Sequence, residues 1–203
     1  MSTATLTRAS GLALLFGAVL FLFGSILSFA AAPLAPVWLV ATATWMSGMV
    51  ALLLGLPGVA VRQASRAGWA GFIGYVLVFL GWVLLTGFYL VDDLIMFTWL
   101  NALAPQVYVQ WSFNPAVVAS IHVGYSLLAR GGALLGIATF RAGVLPRWAG
   151  ALLIAAAVAA LGSFVSGVLT VVAVVLVVLG LGWMGYVLWT AQREAIPQPA
   201  LAA

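Results

Sequence analysis

The sequence predicts an all-α fold, a polytopic transmembrane bundle of six spans forming one domain over residues 1–203, with both termini in the cytoplasm. Three observations predict it. Hydrophobic residues make up 66% of the chain and charged residues 5%, at a mean hydropathy of +1.27. Apolar runs of bilayer length recur along the chain, and arginines collect at alternate ends of those runs. A soluble domain carries about 25% charged residues to solvate its surface, so most of this exterior has to face lipid.

The spans follow from a length ruler. A hydrocarbon core about 30 Å thick takes roughly 20 residues at about 1.5 Å each. A segment in lipid must also satisfy its own backbone hydrogen bonds, which a helix does. This places spans near 10–31, 37–59, 69–91, 117–140, 148–165 and 169–190. Proline lacks the N–H and clashes with the preceding turn, and here it keeps to the borders: Pro33 and Pro36 after the first span, Pro57 at the end of the second, Pro105 and Pro115 in the longest connection, and Pro146 before the fifth. The start of the chain also imitates a cleavable signal peptide, with Arg8, an apolar run and Ala30-Ala31-Ala32. That run is long for such a leader and Pro33 would follow the cut, so it is read as a retained span.

Orientation comes from the arginines. Lysine is absent, and with six spans Arg8, Arg62, Arg66, Arg141, Arg147 and Arg193 all fall on one side, while Asp92 and Asp93 fall on the other. Positive residues mark cytoplasmic loops; five or seven spans would scatter them.

The stretch 92–115 is the one sizeable connection. Trp99, Tyr108, Trp111 and Phe113 alternate there with Asn101, Gln106, Gln110 and Asn114. Aromatic rings with polar tips favour the headgroup layer, so this outer loop is expected to lie along the membrane surface, partly as a short interfacial helix; capping a cavity is the alternative. Small residues mark the expected helix contacts: Gly17 and Gly24, Gly74 and Gly81, the alanine-rich fifth span, and Gly180, Gly182 and Gly185 in the sixth. In lipid, close backbone approach matters more than burial of apolar surface.

The fourth span carries the candidate site. His122, Tyr125, Ser126 and Arg130 fall within about 140° of one helix face at the 3.6-residue period, a stripe expected to turn toward the bundle interior or a wet cavity. Arg130 lies in mid-membrane, where arginine is costly and needs compensation. Three alternatives are open: an ion pair with Asp92 or Asp93, which needs the third span tilted or shifted inward; an anion- or substrate-binding role; or snorkelling and lipid contact. His122 is the only histidine, which excludes a bis-histidine haem or multi-histidine metal site and leaves a locally hydrogen-bonded imidazole, a proton acceptor or a single axial ligand.

Other classes are excluded on composition and motif. Without cysteine there is no thiolate chemistry or disulfide, and without lysine no retinal Schiff base. No hydrolase, zincin, P-loop or dinucleotide-binding motif is present, and Asp92 and Asp93, about 100° apart on a helix, do not face each other as a catalytic pair. No catalytic residue, cofactor, metal or nucleic-acid partner is expected. The expected partners are the lipid bilayer and other membrane subunits or a second copy.

The run Arg141-Ala-Gly-Val-Leu-Pro-Arg-Trp-Ala-Gly150, with its Gly-x-Leu-Pro-Arg-Trp core, resembles a cytoplasmic loop of bacterial multi-pass membrane proteins of unknown function. The resemblance covers that loop and the general six-span plan and implies no particular activity; the expected location is the plasma membrane. The leading expectation is an integral membrane protein that binds or transports a small molecule or lipid through a polar pocket on the fourth span. The rival is an accessory or structural subunit of a larger membrane complex.

Overall fold

The computed structural model describes residues 3–162 and 166–190, and all secondary structure in them is helical. The elements are α1 (Thr3–Ala30), α2 (Pro36–Val91), a π-helix (Asp92–Phe97), α3 (Thr98–Leu103), α4 (Pro105–Ser112), α5 (Pro115–Ala142), α6 (Arg147–Gly162) and α7 (Gly167–Thr190). Four helical stretches, Ala4–Ala30, Pro36–Leu103, Pro115–Ala142 and Gly167–Thr190, are long and apolar enough to cross a membrane, and the apolar Arg147–Gly162 is shorter. These are the features of a helical membrane protein. Arg193 and the end of the expected fifth span lie outside the described residues.

The 56 residues of α2 would stretch about 84 Å if straight, far more than a bilayer core. The helix breaks at Gly68, where φ is 58° and ψ is −164°. L side chains are excluded from that backbone region, so glycine is what permits the reversal. The arm 69–91, continued by the π-helix, runs back along the arm 36–67: the Trp45 and Tyr89 rings lie 5.4 Å apart and the Trp38 and Phe97 rings 5.2 Å apart.

Two expected boundaries change as a result. The second helix does not stop at 59 but continues to the Gly68 break, so Pro57 lies inside it. The expected loop containing Arg62 and Arg66 is therefore helical up to a single glycine. The first helix likewise begins at Thr3, several residues before the expected start at 10. The stretch 92–115, expected as an outer loop with some helix, is helical over most of its length. Asn114 closes it by accepting a hydrogen bond from the Ala116 amide at 2.9 Å, ahead of Pro115 in the first turn of α5.

Helix contacts follow the small residues. A Cβ on Gly17 would sit 2.7 Å from the Leu52 amide nitrogen, and one on Gly24 would meet the Trp45 backbone. Gly74 and Gly81 face Leu135 and Leu128 of α5, Gly136 faces Gly150 of α6, Gly180 faces Ala149 and Leu153, and Gly185 faces Gly11 and Leu14. Each neighbouring pair is antiparallel, and the chain of contacts closes into a ring: α1, the two arms of α2, α5, α6, α7 and α1 again. Such spacing brings backbones together, which is how helices in lipid gain dispersion contacts.

The connection between α5 and α6 explains the Gly-x-Leu-Pro-Arg-Trp run locally. Gly143 caps α5 in the left-handed conformation at φ 62°, Leu145 is buried in the core, and Trp148 is exposed.

Candidate functional site

The ring is not packed evenly along its length. At the end carrying Arg8, Arg62, Arg66, Arg141 and Arg147, the interior is filled by Leu14, Leu52, Leu56, Leu145 and Leu188. One polar pair is sealed in this half: Thr139 donates to Gln63 Oε1 at 3.1 Å, with Gln63 only 1% exposed. Toward the end carrying Asp92 and Asp93 the helices leave a cavity of about 440 Å³. Met49, Leu135, Leu153 and Leu181 line its deep end, and Ser28, Phe29, Trp38, Asp93 and Thr170 its aspartate end. The cavity is partly open, and Phe29, 82% exposed, lines it at that end.

The wall is aromatic and aliphatic. Phe21 contacts Trp82 edge-on at 5.6 Å and Trp45 at 6.1 Å, and Trp45 continues the cluster to Tyr89. Aromatic rings prefer such edge-to-face geometry because their faces are negative and their edges positive. Polar groups on the wall are few: Ser25, Ser28, Tyr89, Asp93, Tyr125 and Thr170. The Tyr89 and Tyr125 hydroxyls share a hydrogen bond of 2.7 Å, joining α2 to α5.

The two aspartates part company at the π-helix, whose widened turns are frequent at functional sites. Asp92 Oδ1 accepts a hydrogen bond from Trp111 Nε1 at 3.0 Å, which ties α4 back to the bundle. Asp93 lines the cavity. No hydrogen bond or ion pair to Asp93 is found among the described residues.

Of the expected fourth-span stripe, the structure puts Tyr125 alone on the cavity wall. Ser126 is half-buried, and His122 and Arg130 are exposed. The imidazole Nδ1 of His122 donates to the Val118 carbonyl at 2.6 Å. The inward face of α5 is instead set by Gly124, Leu128, Gly131 and Leu135, and Arg130 lies about 160° around the helix from Leu128. Small residues that admit a neighbouring backbone outweighed the polar stripe in orienting this helix.

The expected contact between Arg130 and Asp92 or Asp93 is absent among the described residues, and the register explains why. Gly81 faces Leu128 and Gly74 faces Leu135, so Arg130 stands level with Phe79. The aspartates lie 13–14 residues further along α2, about 20 Å at the helical rise. Tilting the third span cannot close that gap. Among the described residues no cluster of three or more metal-ligating side chains occurs.

Sequence reasoning missed the cavity wall itself. Phe21, Trp38, Trp45 and Trp82 read individually as apolar residues of any span, and only the antiparallel ring brings them together. The closeness of Asp93 in the sequence to Phe88, Tyr89 and Phe97 was the one signal available. Compared with family models, curated proteins and solved structures, the chain matches none, so the reading rests on its own residues.

Proposed function

We propose that the chain is a multi-pass plasma-membrane protein that binds a small molecule or lipid in the cavity at its aspartate end. The carrying observation is the cavity, about 440 Å³ with a mostly apolar wall and a handful of polar groups at one end. Ligand sites fall in the range of about 300–1,000 Å³ with this kind of lining. The occupant is a molecule with an apolar body, lying among Phe21, Trp45, Trp82 and Leu135, and one polar end near Asp93 and the tyrosine pair.

Six crossings fit this reading: α1, the two arms of α2, α5, α6 and α7. The 16 residues of α6 span about 24 Å, short for a bilayer core but in register with its neighbours in the ring. The arginine end then faces the cytoplasm by the positive-inside rule, and the cavity opens outward. The Gly143–Trp148 loop, with its bacterial resemblance, lies on the cytoplasmic side.

The test is a cavity-filling substitution. Ala157→Phe places a ring on the cavity wall and is expected to abolish saturable binding of hydrophobic probes to the purified chain while leaving its thermal unfolding cooperative. Binding unchanged by this substitution refutes the cavity as the site.

A second reading, an accessory subunit of a larger membrane complex or a homo-oligomer, is favoured by one observation: Arg130 is exposed at mid-length of α5, where a charge facing lipid is unfavourable. A partner helix carrying a carboxylate would satisfy it. On that reading, particles extracted in mild detergent have a mass above that of one chain, and Arg130→Leu reduces them to single chains.

A further inference from the structure

We infer that the cavity selects a hydrophobic monocation, such as a tertiary or quaternary amine or another onium ion, with Asp93 as its counter-ion. This rests on the cavity being a ligand site and adds the charge of the ligand.

The Trp45–Tyr89 and Trp38–Phe97 contacts pair the first arm of α2 with its second arm and the π-helix that continues it, and the paired numbers sum to roughly the same value. Asp93 therefore lies opposite residues 41–42, with Trp38 and Trp45 one turn away on either side along the facing arm. Trp38, Trp45, Tyr89 and Asp93 all line the cavity. A carboxylate set among indole and phenol rings is the combination that recognises an organic cation: the rings attract positive charge through their faces, and the carboxylate supplies the counter-charge.

The other ligand charges fit less well. Among the described residues Asp93 is the only carboxyl group on the wall, and no arginine or histidine lines it. An anion would meet a carboxylate with nothing to offset the repulsion, and Asp92 next to it adds negative charge. A neutral ligand would seal the Asp93 carboxyl in an apolar space with no partner, and a buried polar group is costly without one. A strongly hydrated, compact cation such as a metal ion would find one carboxylate and aromatic rings, not the several oxygen ligands that hard cations take. The class that satisfies both the carboxylate and the apolar wall has its charge spread over, or shielded by, hydrocarbon.

Matched hydrophobic ions test this directly. Tetraphenylphosphonium and tetraphenylborate share size and shape and differ in sign, and triphenylmethanol is a neutral relative. With the purified full chain, tetraphenylphosphonium is expected to bind at least about tenfold more tightly than tetraphenylborate, as a desolvated cation–π and counter-ion site implies. Asp93→Asn should lower phosphonium affinity by about tenfold or more without lowering triphenylmethanol affinity, and Asp93→Glu should restore part of the loss. Equal binding of the two ions to the unaltered chain overturns the inference while leaving the cavity reading intact. Should Asp93→Asn fail to fold, that comparison on the unaltered chain decides alone. If Ala157→Phe leaves binding of every probe in place, the cavity reading itself falls.

Discussion

The Tyr89 and Tyr125 hydroxyls meet at 2.7 Å across the interface between α2 and α5. The bond sits on the cavity wall, one turn from Asp93 along α2. Neither ring alone marks a site, since both belong to long apolar helices. Their meeting fixes the relative height of two elements, and with it the position of the aspartate end over the aromatic cluster.

Removing both partners of this pair should cost less than the two single removals added together. Tyr125→Phe strands the Tyr89 hydroxyl in a largely apolar setting and is expected to destabilise the protein by about 1 kcal/mol, the usual net value of a hydrogen bond. The double variant with Tyr89→Phe should be less destabilised than the sum of the singles, because contacting groups couple. Unfolding of the four proteins in one detergent, by loss of near-ultraviolet circular dichroism, gives the cycle. Strict additivity would mean that the bond contributes nothing.

Glycine positions divide into those under a neighbouring backbone and those that are open. Gly24→Ala sets a methyl against the Trp45 backbone, so α1 and α2 must separate, with an expected loss of about 1–3 kcal/mol from overpacking. Gly87→Ala meets nothing within 4 Å and should be neutral or stabilising by up to about 1 kcal/mol through helix propensity. Melting temperatures measured side by side decide the matter. Equal effects at the two positions would contradict the close approach of α1 and α2.

The buried Gln63–Thr139 pair makes a third case. Thr139→Val removes the hydroxyl that donates to Gln63 Oε1, and Gln63 Nε2 already lacks a partner among the described residues. An orphaned buried amide costs about 1–3 kcal/mol. Adding Gln63→Leu removes the stranded group, so the double variant should recover most of that loss. Thermal unfolding of both variants checks this, and a double variant less stable than Thr139→Val would exclude the pair as the cause.

What could be read from the sequence was whatever is local. Span positions depend on runs of apolar residues, and the runs near 117–140 and 169–190 lie within α5 and α7. The glycines of the first and third spans mark contact faces because their spacing needs no knowledge of the partner helix. The helix through Pro57 was not legible, because tolerance of proline depends on neighbouring groups that the linear chain does not display. Nor was the outward direction of Arg130. Polarity on α5 argued for turning the stripe inward, but Gly124 and Gly131 had to meet α2 at close range, and a helix has one orientation to give. The aromatic cavity draws on residues as distant as Phe21 and Leu181, so it emerges only from the closed ring.

The absence of cysteine from the chain makes one experiment especially direct. In intact cells, single-cysteine variants at Ser28, on the cavity wall, and at Ser65, exposed near the Gly68 reversal, can be treated with a membrane-impermeant thiol reagent. Ser28→Cys is expected to label from outside and to be slowed by tetraphenylphosphonium, while Ser65→Cys is expected to label only after the membrane is permeabilised. Labelling of Ser65→Cys in intact cells, with Ser28→Cys silent until permeabilisation, would contradict this expectation.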